Sequence, residues 1–532
     1  MNLDWSQRIL AHLHSQGVRD IVFCPGARNS PLLLVLARTT GFQLHSFFDE
    51  RAAGFYALGL SRKTGQPVVV MTTSGTAVCE LLPAVVEAFH LGVPLVLLTA
   101  DRPLRLRGTG APQAIDQSGI FGKFVSLEFD LSDGQDADLA MWNRRSPAHL
   151  NICFDDPLGD RPTKDFELPP EEVRASYAGQ SPFQQSANLE WAALRLSKFL
   201  KRETDLVILV GTLETEGERE AAVRFLKKMA VPCYLEATSG LREREELQSV
   251  RLTSGDRILS WALKRKHFGR VLRIGGIPTV RLWRDLDEKE CDCEVLSLSP
   301  LPFAGLSRGE LLCTEVAPAL DTIFLKPPAI ENNLHSLIDH DRKASEKLEA
   351  LLVRFPKSEP GMFRRLSCLI PQNAVVYVGN SLPVREWDLA AERRFPRTVE
   401  ANRGVNGIDG QLTTFLGLAQ STVENWAVVG DLTALYDLTA PWVLRESDLN
   451  VRIAVINNGG GKIFERMFHT EIFENRHQIE FSHWAKMWKL SYRVWQEVPV
   501  ELTKADKVEV IELRPDSTET AQFWAEYDAI WA

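Results

Sequence analysis

Two short polar segments in the C-terminal third have the residue types that bind a metal ion and a phosphate group. Gly430-Asp431 ends one apolar run, and Asn457-Asn458 ends a second apolar run 26 residues later, just before three glycines. Such runs predict buried parallel strands, whose carboxyl ends open onto one crevice. Hard oxygen ligands with room for water suit a Mg²⁺ ion that holds a diphosphate, so Asp431 and Asn458 are candidate metal ligands.

Each segment also has an ordinary structural interpretation. Asp431 could cap a helix, and Asn457 with the glycines could form a plain loop at a strand end. Either segment alone favours that interpretation. The two together, each after an apolar strand and at this separation, resemble the signature of thiamine diphosphate enzymes.

A thiamine cofactor also needs a carboxyl group that shares a proton with its pyrimidine ring nitrogen, because its own amino group then deprotonates the thiazolium carbon. Glu50 fits this role, since it follows the apolar run LHSFF and opens an Ala/Gly-rich helix, RAAGFYALGL. Desolvation would raise its pKa towards that of the ring nitrogen. The alternative is an acidic residue that only favours a helix start.

The distance along the chain between Glu50 and Asp431 predicts a cofactor bound across a domain or subunit boundary. If two copies face each other head to tail, each site takes Glu50 from one copy and Asp431 from the other. We therefore expect a homodimer or homotetramer with sites at the subunit interface.

The elements that must position these residues are short apolar strands alternating with helices, a pattern typical of parallel sheets covered on both faces. The expected strands are 20–24, 43–48, 68–71, 95–99, 206–210, 271–274, 375–378, 426–429, 452–456 and 508–511. This predicts an α/β protein with three doubly wound parallel-sheet domains.

The length of 532 residues is too great for one core. We expect a pyrimidine-binding domain at 1–180, a central domain at 186–330 and a diphosphate and metal domain at 345–532. Residues 160–185 are rich in proline and polar residues and predict a linker.

Composition excludes some classes of protein. Hydrophobic residues make up 45% and charged residues 25% of the chain, as in globular proteins, and the net charge of −9 does not favour a nucleic-acid partner. The N-terminus lacks the pattern of a signal peptide, and no apolar run is long enough to span a membrane. With eight scattered cysteines, we expect a cytoplasmic protein with reduced thiols.

Further strings occur in an order that is specific. They are FCPGARNSPL, FFDERAAGFYALGL, TTSGTAV, LTADRP with QAIDQ, VGNSLPVREWD, NRGVNGIDG, GDLTALYDL and NNGGGKIF. Together they resemble the 2-succinyl-5-enolpyruvyl-6-hydroxy-3-cyclohexene-1-carboxylate synthases of menaquinone or phylloquinone biosynthesis. The resemblance implies decarboxylation of 2-oxoglutarate and 1,4-addition of the succinyl carbanion equivalent to isochorismate.

Both implied substrates are dicarboxylates, which arginines bind well. Four arginines, Arg28, Arg102, Arg385 and Arg403, follow predicted strands. The resemblance implies that isochorismate contacts Arg28, Arg102 and Gln113. It places Ser381, Arg385 and Arg403 around the oxoglutarate-derived carboxylate and the reacting centre. The resemblance also adds three further pocket residues, namely Arg281, Ile463 and Phe464.

The resemblance also extends the cofactor site. It implies that Gly430, Leu432 and Thr433 bind the cofactor beside Asp431 and Asn458. It makes Gly460 a third ligand of Mg²⁺ or Mn²⁺, and Ile408 the residue that supports the bent cofactor. Three histidines after the glycines could line the pocket, but we interpret them as solvated or structural, namely His469, His477 and His483.

Some positions depart from the family pattern and leave the affinity for isochorismate open. Ala27 replaces a serine, Pro112 replaces an asparagine, and Leu282 follows Arg281 where a lysine-arginine pair is common. Another thiamine-dependent 2-oxoacid decarboxylase or carboligase is the near alternative. A nicotinamide or flavin oxidoreductase would need a G-x-G-x-x-G turn between a strand and a helix, and none is well placed in this sequence. A non-catalytic paralogue would need none of the cofactor residues, yet Glu50, Asp431 and Asn458 are all present.

Overall fold

The computed structural model describes residues 2–159, 165–168, 182–201, 205–323, 332–468, 470–502 and 506–531. Most of the predicted linker, together with His469, lies outside these residues. The first helix after the linker begins at Pro182, so the final residues of the predicted linker are helical. No helix among the described residues has the length and apolar content needed to cross a bilayer.

The first sheet has six parallel strands in the order β2-β1-β3-β4-β6-β5. Its strands are β1 (Asp20–Phe23), β2 (Gln43–Ser46), β3 (Val68–Thr72), β4 (Leu95–Asp101), β5 (Leu127–Leu131) and β6 (Ala148–Cys153). Its helices are α1 (Asn2–Ser15), α2 (Ser30–Leu36), α3 (Glu50–Thr64), α4 (Thr76–Cys79) and α5 (Leu82–Leu91). The central strands β3 and β4 are buried along their whole length, which explains their continuous apolar runs.

The second sheet has five parallel strands in the order β11-β10-β9-β7-β8. Its strands are β7 (Leu206–Val210), β8 (Cys233–Leu235), β9 (Arg270–Ile274), β10 (Glu294–Ser299) and β11 (Glu310–Cys313). Its helices are α6 (Pro182–Leu200), α7 (Glu216–Met229), α8 (Arg257–Lys264), α9 (Arg281–Asp285) and α10 (Val316–Asp321).

The third sheet has six parallel strands in the order β13-β12-β14-β15-β17-β16. Its strands are β12 (Val375–Val378), β13 (Val399–Glu400), β14 (Glu424–Gly430), β15 (Asn450–Ile456), β16 (Ser491–Trp495) and β17 (Val508–Leu513). The helices of this region are α11 (Asn332–Arg354), α12 (Glu359–Leu369), α13 (Leu382–Ala390), α14 (Gln411–Leu418), α15 (Asp431–Tyr436), α16 (Glu465–Phe468), α17 (Ser482–Met487) and α18 (Ser517–Ala529).

The first and third sheets share one topology. When strands are counted within each sheet, both have the order 2-1-3-4-6-5. In both, the chain reverses its direction of travel between the first and third strands, and ligands bind at the carboxyl ends of the strands at such a point. The prediction of three doubly wound parallel sheets is confirmed.

The chain is divided into two compact units. The first consists of Met1–Gln180, Gly404–Ala419 and Thr433–Asp448, and the second consists of Ser181–Arg403, Gln420–Leu432 and Leu449–Ala532. Two segments from within the predicted C-terminal domain therefore belong to the unit that carries the first sheet.

Within the first unit, α14 packs directly onto α3 because both helices have glycine at the contact. A Cβ atom on Gly59 would lie 2.0 Å from the backbone oxygen of Thr414, and one on Gly417 would lie 2.3 Å from that of Tyr56. The Ala/Gly-rich sequence of α3 is thus used for close helix packing.

Candidate active site

The carboxyl ends of β12, β14 and β15 bring the predicted metal residues together in the second unit. Strand β14 pairs with both β12 and β15, so the residues that follow these strands lie at one edge of the sheet. A Cβ atom on Gly379 would lie 3.2 Å from the Cα atom of Val429, and this close backbone approach accounts for the glycine after β12.

Asp431 connects the end of β14 to the glycine loop after β15. Its Oδ1 accepts a hydrogen bond from the backbone of Leu432 at 2.7 Å. Its Oδ2 accepts from the backbone N–H groups of Gly459 and Gly460, both at 2.9 Å. Burial raises the pKa of Asp431, which is 2% exposed. The simple helix-cap interpretation does not account for two contacts to another loop.

The glycine loop needs glycine for backbone reasons. Gly459 has a φ of +82° and Gly460 one of +136°, and a Cβ atom on Gly460 would lie 2.4 Å from the backbone oxygen of Glu474. By contrast, a Cβ atom on Gly430 would meet no atom within 4 Å. The protein therefore leaves open space beside Gly430.

Asn458 has one satisfied and one unsatisfied end. Its Nδ2 donates to both carboxylate oxygens of Glu359, at 3.2 and 3.0 Å. Its Oδ1 is buried and has no hydrogen-bond partner. A buried acceptor without a partner is costly unless a ligand completes it. The oxygen atoms of Asp431 and Asn458 therefore fit a hard divalent cation.

Two further residues lie beside this site, and sequence reasoning had named His477 but not Glu359. Burial raises the pKa of Glu359 to about 7, the hydrogen bond from Asn458 opposes the rise, and the charge of Asp431 adds to it. His477 is not solvated, because its side chain is 10% exposed and its Nε2 lies 3.2 Å from Asp431 Oδ2. His483 is exposed, as expected.

Glu50 begins α3 in the first unit but does not cap it. The cap is Asp49, whose Oδ1 accepts from the backbone of Ala52 at 3.1 Å and whose Oδ2 accepts from the Thr439 hydroxyl at 2.6 Å. Glu50 is half-buried, and burial raises its pKa, with Asp49 and Glu80 adding to the rise. This is the direction that a proton-sharing carboxyl requires.

The loop that contains Ile408 is fixed by two buried carboxylates of the first unit. Asp437 accepts from the backbone of Gly410 at 2.9 Å and of Leu412 at 2.8 Å. Glu87 accepts from the backbone N–H groups of Gly404 and Val405, both at 2.8 Å. Ile408 itself is half-buried. Asp437 lies inside the GDLTALYDL string, which was the available signal for it.

Arg28 and Arg102 lie close enough in the first unit to affect each other. Burial lowers the pKa of Arg28, and the positive charge of Arg102 is the next cause. Arg28 donates to the backbone oxygen of Phe154 at 2.9 Å, yet the Nε atoms of Arg28 and of Arg102 are buried without a partner. Two such guanidinium groups suit a ligand with negative charge.

Gln113 lies on the loop after β4 in a left-handed backbone conformation, with a φ of +54°. Its side chain is exposed. Its Cα atom lies 3.3 Å from the position that a Cβ on Gly75 would take. The loop thus crosses closely over the TTSG segment after β3.

Ser381, Arg385 and Arg403 lie around the turn after β12. Ser381 has a φ of +73°, and Arg385 Nη1 donates to its backbone oxygen at 2.5 Å. Arg403 Nη1 donates to the Oδ1 atom of Asn380 at 2.7 Å. A strained backbone at a residue with a side chain is typical of functional sites. The structure brings these predicted residues to one turn.

The remaining predicted residues have mixed surroundings. Phe464 is 38% exposed and its ring lies 6.1 Å from that of Phe468, while Ile463 is half-buried. Leu432 is half-buried and Thr433 is buried. The side chain of Arg281 is 67% exposed, and its guanidinium pairs with Asp285 at 3.4 Å rather than with another predicted site residue.

Comparison with known proteins shows the family and the fold that this chain resembles. Residues 3–120 match the family described as "Thiamine pyrophosphate enzyme, N-terminal TPP binding domain". An enzyme of Mycobacterium smegmatis described as thiamin diphosphate-dependent has a similar structure, with a TM-score of 0.68, 15% identity and coverage of 97% of this chain and 99% of that one. That likeness supports the fold.

Curated relatives cover the whole chain. A 2-succinyl-5-enolpyruvyl-6-hydroxy-3-cyclohexene-1-carboxylate synthase of Bdellovibrio bacteriovorus is 42% identical over 100% of this chain and 99% of the relative. The enzyme of the same name from Akkermansia muciniphila is 36% identical over 97% of this chain and 96% of the relative. On this full-length similarity, the chain belongs to the 2-succinyl-5-enolpyruvyl-6-hydroxy-3-cyclohexene-1-carboxylate synthase family.

Proposed function

We propose that this protein decarboxylates 2-oxoglutarate with the help of thiamine diphosphate and adds the succinyl carbanion equivalent to isochorismate, as a step of menaquinone biosynthesis. The observation that carries the proposal is full-length similarity to synthases of that name. The site supports it, because the buried Asn458 Oδ1 without a partner lies in the loop that also binds Asp431.

Asp431, Asn458 and the backbone of Gly460 would hold Mg²⁺ or Mn²⁺. The open space beside Gly430 is available for a diphosphate. Leu432 and Thr433 follow at the start of α15, and Ile408 would support the cofactor rings. When bound, thiamine diphosphate supplies the carbon nucleophile and accepts the electrons released with CO₂.

Glu50 would hold a proton at the pyrimidine ring nitrogen. Its raised pKa keeps the carboxyl group protonated at a higher pH than an ordinary glutamate. The side chain is only partly buried in a single chain. A second copy of the chain in a homodimer or homotetramer would cover it, and that copy would supply Asp431 to the shared site.

The arginines would bind the carboxylates of the substrates. Arg28 and Arg102, with Gln113 on the loop after β4, would bind isochorismate. Arg385 and Arg403, at the turn that contains Ser381, would bind the carboxylate derived from 2-oxoglutarate. Arg281 pairs with Asp285 in this structure, and its contact with substrate remains a prediction of the family resemblance.

The test is an incubation with thiamine diphosphate, Mg²⁺ and 2-oxoglutarate, with and without isochorismate. CO₂ release and loss of the isochorismate diene absorbance are followed together. We expect both signals to depend on all components. CO₂ release without loss of the diene would instead identify another thiamine-dependent decarboxylase.

The matched variant for this assay is Glu50→Gln. It should retain thiamine diphosphate binding and the wild-type unfolding temperature, and lose about a hundredfold or more in turnover, because an amide cannot share the proton. Turnover at the wild-type rate would remove Glu50 from the mechanism.

A further inference from the structure

Glu359 is held rigidly at the start of α12. Ser358 caps the helix by accepting from the backbone of Gly361 at 3.1 Å, and the backbone N–H of Glu359 donates to the Thr520 hydroxyl at 3.0 Å. The side chain is buried, with 3% of the residue exposed. A Cβ atom on Gly361 would lie 2.1 Å from the backbone oxygen of Phe355, so the first turn packs closely against the backbone before it.

The Asn458 side chain has two chemically different ends of nearly equal size. Its amide nitrogen can only donate and its carbonyl oxygen can only accept. Both oxygens of Glu359 lie within 3.2 Å of Nδ2, so the amide nitrogen must face the carboxylate. The carbonyl oxygen is thereby directed away from Glu359, and it is buried there without a partner.

We infer that Glu359 is a positioning residue, which orients Asn458 so that its carbonyl oxygen, and not its amide nitrogen, faces the metal ion held with Asp431. This inference rests on the proposed function, because it assumes that Asn458 ligates the metal. Groups behind a ligand commonly fix its orientation and tune its affinity for the metal.

The arrangement also explains why position 458 is asparagine. Aspartate would be the stronger ligand for a divalent cation, but it would place a second carboxylate against Glu359 at hydrogen-bond distance. With an ionised glutamate at 359, only an amide side chain at 458 can both donate to that carboxylate and offer an oxygen to the metal ion. The pair therefore predicts a compensating exchange, in which glutamine at 359 tolerates aspartate at 458.

The experiment compares the full-length wild-type protein with Glu359→Gln, Asn458→Asp and the double variant, at pH 8 in the presence of thiamine diphosphate. Mn²⁺ binding is measured from the electron paramagnetic resonance signal of the free ion, which does not require turnover. We expect Asn458→Asp to bind Mn²⁺ about ten- to a hundredfold more weakly. Glu359→Gln should also bind it more weakly, because a glutamine amide can turn either end to Asn458 and no longer selects one orientation. The double variant should recover most of this loss, because the amide introduced by Glu359→Gln can donate to the carboxylate introduced by Asn458→Asp.

A control variant is Glu424→Gln, at the amino end of β14, where the carboxylate accepts from Trp426 Nε1 at 3.0 Å. It should bind Mn²⁺ as the wild type does. Wild-type affinity in Glu359→Gln, or a double variant that binds no better than the weaker single variant, overturns the positioning role. Absence of Mn²⁺ binding by the wild-type protein overturns the proposed metal site itself and the role of Glu359 with it.

Discussion

Glu386 is a buried carboxyl group in the VGNSLPVREWD string with no hydrogen-bond partner at either oxygen. Burial raises its pKa well above the ordinary glutamate value, and the negative charge of Glu359 adds to the rise. The folded protein therefore keeps this group protonated at pH values where the unfolded chain releases the proton.

The Glu386→Gln variant should change how stability depends on pH. In the wild type, the unfolding free energy should fall as pH rises above the ordinary glutamate pKa towards the raised pKa, by at most about 1.4 kcal/mol per pH unit from this group. The variant cannot lose a proton at this position, so its stability should fall less between pH 5 and pH 8. Urea unfolding at both pH values measures this, and parallel losses in the two proteins would contradict it.

The residues that sequence analysis identified and those it missed differ in a physical way. Apolar runs in the sequence precede Asp431, Asn458 and Glu50, and these runs identified the three residues as candidates. Glu359 and Glu87 act through contacts 99 and 317 residues away along the chain, with an amide side chain and with backbone N–H groups. No local pattern encodes such a contact, so these residues could be identified only from the folded chain.

At the scale of elements, strands with long apolar runs such as β3, β4 and β15 were predicted, whereas β5 and β13 were not. β3, β4 and β15 are buried on both faces, and their sequences show it. β5 has a largely half-exposed sequence, LEFDL, and β13 has two residues. Each pairs with a neighbouring strand, β6 and β12 respectively, and no apolar run reveals that pairing.

The contact between α3 and α14 should be sensitive to a single methyl group. In Gly59→Ala, the added Cβ would meet the backbone oxygen of Thr414 at 2.0 Å, and backbone cannot rotate away as a side chain can. Overpacking of this kind costs about 1–3 kcal/mol. Urea unfolding should show this loss.

Gly269→Ala is the matched control, because a Cβ atom there meets nothing within 4 Å. Its unfolding midpoint should remain near that of the wild type. Equal midpoints for the two variants would show that α3 and α14 are not in close contact.

At the scale of the whole molecule, the proposed sharing of Glu50 and Asp431 between copies can be tested by complementation. Glu50→Gln and Asp431→Ala homodimers should both be inactive. A heterodimer of one Glu50→Gln chain and one Asp431→Ala chain can be isolated with two different affinity tags. If the sites are shared, one of its sites carries both substitutions and the other carries neither. We expect about half of the wild-type activity per dimer.

The outcome separates the two arrangements. If each site instead used both residues of one chain, every site in the heterodimer would carry one lesion, and the heterodimer would be inactive. Co-purified wild-type dimers carrying the same two tags provide the reference activity.

The close packing of α14 on α3 has a consequence for synthesis on the ribosome. Strands β1–β6 are synthesised first, whereas the segments Gly404–Ala419 and Thr433–Asp448, which complete the same unit, are synthesised only after β7–β13. Until then the surface of α3 around Gly59 lacks the helix α14 that packs on it, so the first unit cannot be completed earlier. A nascent chain that stops before α14 leaves this surface open to proteases and chaperones.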